Sequence, residues 1–411
     1  MKAKATAQNE FAQHWRVLTV ALAGLIVSAA SVPTYAIGSF VLPLQAEFGW
    51  NRSSIQAGVF FAQGGCAIGG LFVGQLLARL GMRPIVIAGL FGMATSFAAL
   101  ALLPLSLSLF YVCFLGVAIL GWGTIPVVWC HLVTAHFERR RGLALAIALT
   151  GTGIAGILVP LVLAIVIGSL GWRVGFLTLA ALPLIIALPI VLIWLPRSVF
   201  GNQESAADKQ ENVTGLLVSQ AVRSYRYYLL CVSVVLIYVA ITGVLTNVVP
   251  SLTSRGMSNE AAAAVQGGYA ASLIFGRLCV GWLLDRYWGP GIAAMALTPA
   301  AIGALMLAVN TDFIQAIIGI ALIGIAGGAE LDLLAFLTAR YFGLRYFSHL
   351  YGILYAFVAT AGASGPFVFA WIQERTASYD TSFQMASAML ALGGLMILLL
   401  GRYPSSFAKK Y

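Results

Sequence analysis

The chain of 411 residues is 61% hydrophobic and 9% charged, against about 45–50% and about 25% in ordinary globular proteins. So few charges cannot give so large an apolar interior a wettable surface, which excludes a soluble globular fold and makes lipid the solvent. The net charge of +10 does not mark a nucleic-acid partner, because the basic residues sit in short clusters at the ends of apolar runs, as a membrane-orientation signal does.

Backbone polar groups in a bilayer core must be satisfied within the spanning structure, which leaves helices or closed barrels. Apolar runs fall at 16–43, 53–78, 84–104, 106–136, 142–168, 173–195, 225–250, 260–284, 291–309, 312–339, 348–372 and 380–401. Each is long enough to cross a bilayer core as a helix of about 20 residues, and none alternates polar with apolar as barrel strands do. The first run continues past signal-peptide length and reads as a retained span. The expectation is an all-α membrane protein of twelve transmembrane helices.

The long polar stretch from Arg197 to Tyr225 divides these runs six and six. It predicts an N-terminal six-helix bundle over 1–196, a linker over 197–224 and a C-terminal six-helix bundle over 225–411. With the N-terminus placed in the cytoplasm, Arg52, Arg173, Arg255 and Arg375 fall on the outer side and Arg277 within a span, while every other Lys and Arg is cytoplasmic. That asymmetry predicts both termini and the linker on the cytoplasmic side, here of a bacterial inner membrane. Cys66, Cys113, Cys130, Cys231 and Cys279 lie inside apolar runs without metal-ligand spacing and read as small hydrophobes. No metal or cofactor is expected, and no catalytic constellation is visible, so the chain does not read as an enzyme. The absence of a phosphate-binding Gly-Lys-Ser/Thr loop points to an ion gradient rather than ATP as energy source.

The two halves repeat. Gly69-Gly70-Leu71-Phe72-Val73-Gly74-Gln75-Leu76-Leu77-Ala78-Arg79 aligns with Gly276-Arg277-Leu278-Cys279-Val280-Gly281-Trp282-Leu283-Leu284-Asp285-Arg286. Each copy closes the second span of its half. A parallel repeat of six spans is the arrangement in which a substrate site lies between halves near the midplane.

These residues resemble the major facilitator superfamily. Its signature loop is matched by Gly74, Leu76, Arg79, Gly81 and Arg83, with Ala78 where the pattern has Asp and Met82 where it has Arg, and again by Gly281, Leu283, Asp285, Arg286 and Gly289. A charge set against a helix end there can latch one conformation and release in another. A narrower likeness, to monocarboxylate and oxalate/formate-type carriers, is carried by Tyr35 to Phe40, Pro43-Leu44, Phe48-Gly49-Trp50, Arg52-Ser53-Ser54-Ile55, Phe137 to Leu145, Gly276-Arg277-Leu278 and Tyr351-Gly352. The resemblance implies two bundles related by a pseudo-two-fold axis, alternating access and a monomeric carrier. It departs from that pattern at Leu273, where monocarboxylate carriers often have an acid one turn before the arginine.

Arg277 lies eight residues before Asp285, about 12 Å inside the membrane by helical rise. An arginine at such depth costs about 2.5–3.5 kcal/mol and cannot lose its proton. It must face a cavity or an anion, either a substrate carboxylate or a permanent internal partner. Glu330 and Asp332 are the other deep acids, about 12–15 Å inside. Two residues apart on a helix, they point to different faces, and either is a candidate to carry a coupling proton. Tyr238, Thr242 and Thr246, with Asn247 beside them, form a polar stripe that lines a cavity or bonds to neighbouring helices. Tyr35 and Tyr355 are weaker candidates for substrate contact, and His131 suits helix packing or a proton relay.

The combined expectation is a proton-linked carrier of a small organic anion, a monocarboxylate by resemblance and because one buried cation suits a monoanion. An organic-anion exchanger and a proton-driven exporter of lipophilic compounds remain open at this stage.

Overall fold

In the computed structural model, residues 2–195, 215–309, 312–376 and 378–404 are described, with the backbone alone for 2–9, 52, 259, 260, 263 and 370. The expected linker lies largely outside the described residues, as does the basic tail with Lys409 and Lys410. Among the described residues, ten helices are long and apolar enough to cross a membrane. Their lipid-side character is plain in side chains such as Leu102, Ile185, Ile193 and Phe367, each more than 70% exposed. In water such surfaces would associate; in lipid they are ordinary.

The helices run α1 (Lys2–Ile26), α2 (Val32–Phe48), α3 (Arg52–Leu80), α4 (Met82–Leu102), α5 (Leu107–Leu120), α6 (Pro126–His136) and α7 (Arg141–Leu170). Next come α8 (Trp172–Leu182), a π turn at Pro183–Ala187 and α9 (Leu188–Trp194), which together make one span. A short helix, α10 (Val218–Arg223), falls within the expected linker, and after it come α11 (Tyr225–Ser254), α12 (Asn259–Leu284), α13 (Gly289–Ala308), α14 (Phe313–Phe342), α15 (Phe347–Thr376) and α16 (Asp380–Leu398). By packing, the chain falls into two compact units. One comprises Met1–Glu138, Ile147–Thr214 and Leu344–Ala356, the other Arg139–Ala146, Gly215–Gly343 and Phe357–Tyr411.

Two of the runs expected as single helices are broken, and both lie in the first unit. The run at 16–43 is interrupted between Ile26 and Val32, and the run at 106–136 between Leu120 and Pro126, where only a 3₁₀ turn at Trp122–Thr124 remains. Each second half starts with a proline in its first turn, Pro33 and Pro126, which has no N–H to satisfy there. One hydrogen bond joins the two breaks: the Ala29 N–H donates to Thr124 Oγ1 at 3.1 Å. Within the second break the Trp129 indole donates to the Thr124 carbonyl at 3.0 Å. Ser28, Ala29, Thr124 and Trp129 are all 0% exposed. Irregular backbone at such a place survives only because its polar groups find partners within the protein.

Each unit also has an arginine held by an acid at a helix end. Arg173 lies 3.2 Å from Glu47, which also accepts from the Trp172 indole, and Arg173 stacks over that indole. In the second unit Arg255 pairs with Asp380 and donates to the Leu307 carbonyl at 3.0 Å.

Candidate functional site

The charged core lies in the second unit, where α12 and α14 cross. Helix α12 begins at Ser258, whose side chain accepts from the Ala261 N–H, and ends at Asp285. Arg277 sits seven residues before Leu284, about 10 Å from the helix end. It is 3% exposed. Its Nε donates to the Gly328 carbonyl at 2.8 Å and lies 3.7 Å from Asp332 Oδ1. Gly328 allows this approach, because a Cβ there would collide with the Leu273 carbonyl and the Arg277 backbone. The helices therefore meet backbone to backbone, and the guanidinium stays between them.

Asp332 is 0% exposed, and neither of its carboxylate oxygens accepts a hydrogen bond. Its charge is balanced by the arginine alone, at a separation slightly too long for a hydrogen bond. Glu330, two residues earlier, points elsewhere. It shares a hydrogen bond with Tyr238 of α11, while its Oε2 is buried without a partner. Both side chains line a cavity of about 20 Å³ between α11, α13, α14 and α16, otherwise walled by apolar groups.

The remaining candidates are dispersed. Asn247 Nδ2 donates to the Gly243 carbonyl at 2.9 Å, and Thr242 and Thr246 donate back to carbonyls one turn earlier. Thr242 and Tyr238 also flank Gly362 and Gly365 of α15, so the stripe serves helix packing in part. Tyr35 and Tyr355 belong to the first unit. Tyr35 is 36% exposed, with its ring against Gly156. Tyr355 is 3% exposed beside Gly70, with the thiols of Cys66 and Cys130 nearby, and Tyr351 of the same helix bonds to Cys130 Sγ at 3.7 Å. His131 is stacked on Phe347, with ring centroids 5.8 Å apart.

The two copies of the signature loop differ in what they hold. In the second, Asp285 accepts from the Gly142 N–H at 2.6 Å and the Leu143 N–H at 3.0 Å, the first-turn amides of α7. Gly281 packs against Gly142 and Ala146 where a side chain would not fit, and Arg286 stacks over Trp282 at 3.5 Å. In the first copy Gly74 packs on the His349 backbone in the first turn of α15. Ala78 brings no carboxylate to that helix start. Gly81 ends α3 at φ 78°, Arg79 lies in the last turn, and Arg83 donates to the Leu192 carbonyl at 2.8 Å. Only the second copy therefore has an acid at a helix N-terminus, where both the free amides and the helix dipole favour it.

Sequence reasoning missed the partners rather than the charges. The Gly328 carbonyl and the Gly142 and Leu143 amides are main-chain groups, invisible to a search for polar side chains. Their available signals were Gly327-Gly328 just before the acids and Gly142 opening an apolar run after Arg139-Arg140-Arg141.

Comparison with known proteins shows the family and the fold. A family profile described as Major Facilitator Superfamily matches residues 20–297. Monocarboxylate transporter 11 of Mus musculus is 25% identical over 353 residues, covering 80% of this chain and 75% of the relative. An MFS transporter of Aspergillus flavus, asaE, is 24% identical over 342 residues, covering 81% and 74%. Among solved structures, the proton:xylose symporter XylE superposes with a TM-score of 0.75 at 16% identity, covering 95% of this chain and 96% of that one. The E. coli fucose:proton symporter FucP gives 0.72 at 16%, covering 94% and 98%. A multi-pass helical protein with this fold, this doubled signature loop and these relatives is a transporter and not an enzyme, and the chain belongs to the major facilitator superfamily.

Proposed function

We propose that the protein is a secondary carrier that moves a small organic anion, a monocarboxylate, together with a proton. The observation that carries this is the buried Arg277–Asp332 pair: one guanidinium, 3% exposed, held 3.7 Å from a carboxylate that accepts no hydrogen bond. The acid reserves the arginine. When Asp332 takes up a proton, the guanidinium loses its counterion and becomes the natural partner of a substrate carboxylate, which its planar fork fits. When the substrate leaves, the proton leaves with it and the pair re-forms. Proton and anion thereby travel in a fixed ratio, because each stabilises the state that holds the other. Asp332 takes the place of the acid that monocarboxylate carriers often have one turn before the arginine, where this chain has Leu273.

Relatives named as monocarboxylate transporters and structural neighbours named as proton symporters support the reading. In the proposal Arg277 is the substrate-binding group, Asp332 the coupling acid, and the Asp285 cap on α7 a gating contact. The carrier works as a monomer of two bundles, 1–196 and 225–411, with the linker and both termini on the cytoplasmic face, where its Lys and Arg residues concentrate.

The test is uptake of a radiolabelled monocarboxylate panel into proteoliposomes, with and without an inward proton gradient, for wild type and Arg277→Ala. Gradient-driven accumulation of at least one acid, abolished in the variant, is expected. Uptake that ignores both the gradient and the substitution would refute the proposal.

A further inference from the structure

Charge balance around the site leaves one group unexplained. Among the described residues, where α12 and α14 of the second unit cross there are one arginine, Arg277, and two acids, Asp332 and Glu330; the other buried arginine of this unit, Arg141, stands at the first residue of α7. Asp332 has the arginine beside it. Glu330 turns into a separate cavity walled by Leu230, Val234 and Ile237 of α11, Leu334 of α14 and apolar residues of α13 and α16, with Tyr238 as its one polar neighbour there. A carboxylate charge in such surroundings, with one oxygen lacking any partner, is strongly unfavourable. The cavity measures about 20 Å³, and a single water needs about 10–15 Å³ of such space together with at least two polar partners. Glu330 and Tyr238 supply those two.

Resting on the proposal that Arg277 and Asp332 form the coupled pair, we infer that Glu330 is a neutral carboxylic acid that holds one buried water together with Tyr238, and takes no part in proton coupling. Donors and acceptors then close in a ring. Glu330 Oε2–H donates to the water, the water donates to Tyr238 Oη, and the Tyr238 hydroxyl donates to Glu330 Oε1. Each member gives one hydrogen bond and receives one, so the partnerless oxygen is satisfied and no charge remains to be balanced. An ionised Glu330 would leave this ring without its first donor and a charged oxygen in a cavity walled by apolar groups. The ring ties α14 to α11 on the side of α14 facing away from Arg277. It fixes the rotation of α14 about its axis and therefore where Asp332 points.

Two measurements test this independently. In proteoliposomes, Glu330→Gln, which keeps the shape of a neutral acid, is expected to retain gradient-driven uptake within about twofold of wild type, while Asp332→Asn loses accumulation. Loss in Glu330→Gln with retention in Asp332→Asn would overturn the inference and leave the carrier proposal standing with the roles exchanged. Infrared difference spectra of the purified protein provide the second readout, valid whether or not any acid is carried. A carboxylic-acid carbonyl band at neutral and mildly alkaline pH is expected in wild type, shifted in Tyr238→Phe and absent in Glu330→Gln. A wild-type spectrum identical to that of Glu330→Gln would overturn the inference outright.

Discussion

Breaking the Arg277–Asp332 pair from either side should have unequal consequences. At 3.7 Å two unit charges attract by about 4 kcal/mol at the effective dielectric of about 20 that suits protein interiors. Removing one partner of a buried pair costs about 3–5 kcal/mol, because the survivor is left uncompensated. Asp332→Asn should reach that range, since a stranded guanidinium cannot lose its proton and the Gly328 carbonyl to which it donates carries no charge. Arg277→Met should cost less, because a stranded carboxylate can bind a proton. The double variant should lie close to Arg277→Met alone, giving a coupling energy as large as the cost of Asp332→Asn, about 3–5 kcal/mol. The assay is the unfolding free energy of all four proteins in mixed micelles. Additivity within about 0.5 kcal/mol would refute the pair as an energetic unit, and with it the coupling scheme built on it.

Asp285→Ala removes an acceptor shared by two amides at the start of α7 and should lower unfolding stability by about 1–3 kcal/mol, with Asp285→Asn recovering part of the loss. The converse change, Ala78→Asp, supplies a carboxylate toward the first turn of α15 and should raise stability by about 0.3–1 kcal/mol in the same assay at low salt. Thr124→Val strands the Ala29 amide and should cost about 1–3 kcal/mol, whereas Thr124→Ser, which keeps the hydroxyl, should stay near wild type.

The spans were legible because hydropathy reports burial in lipid directly, and the repeat was legible because Gly74 and Gly281 stand in the same relation to Arg79 and Arg286. The breaks in the first and fourth runs were not. Residues 27–31 and 121–125 carry no charge and are short, so averaging over a span passes across them. Their local marks, Ser28 and Ser31 before Pro33, and Gly121 and Gly123 before Pro126, are common inside membrane helices and acquire meaning only when two such marks meet in space. At the charged site, depth along a helix was calculable from residue counts, and so was the divergence of Glu330 from Asp332. Which acid faces Arg277 was not, because that depends on the rotation of α14 against α12, and the rotation is fixed by the Gly328 contact and by Tyr238.

The joined breaks of the first unit bear on how the chain enters the membrane. The Ala29 amide finds its acceptor 95 residues later, on Thr124. A nascent chain inserted only as far as its third span would hold that amide in hydrocarbon with nothing to bond, at a cost of several kcal/mol. On this account the opening span gains that hydrogen bond only once the fourth has emerged, and retention of the first four spans by the translocation machinery is the expected outcome. Crosslinking of truncated nascent chains would reveal such retention, with release of the first span from the translocon before Thr124 is synthesised as the contrary result.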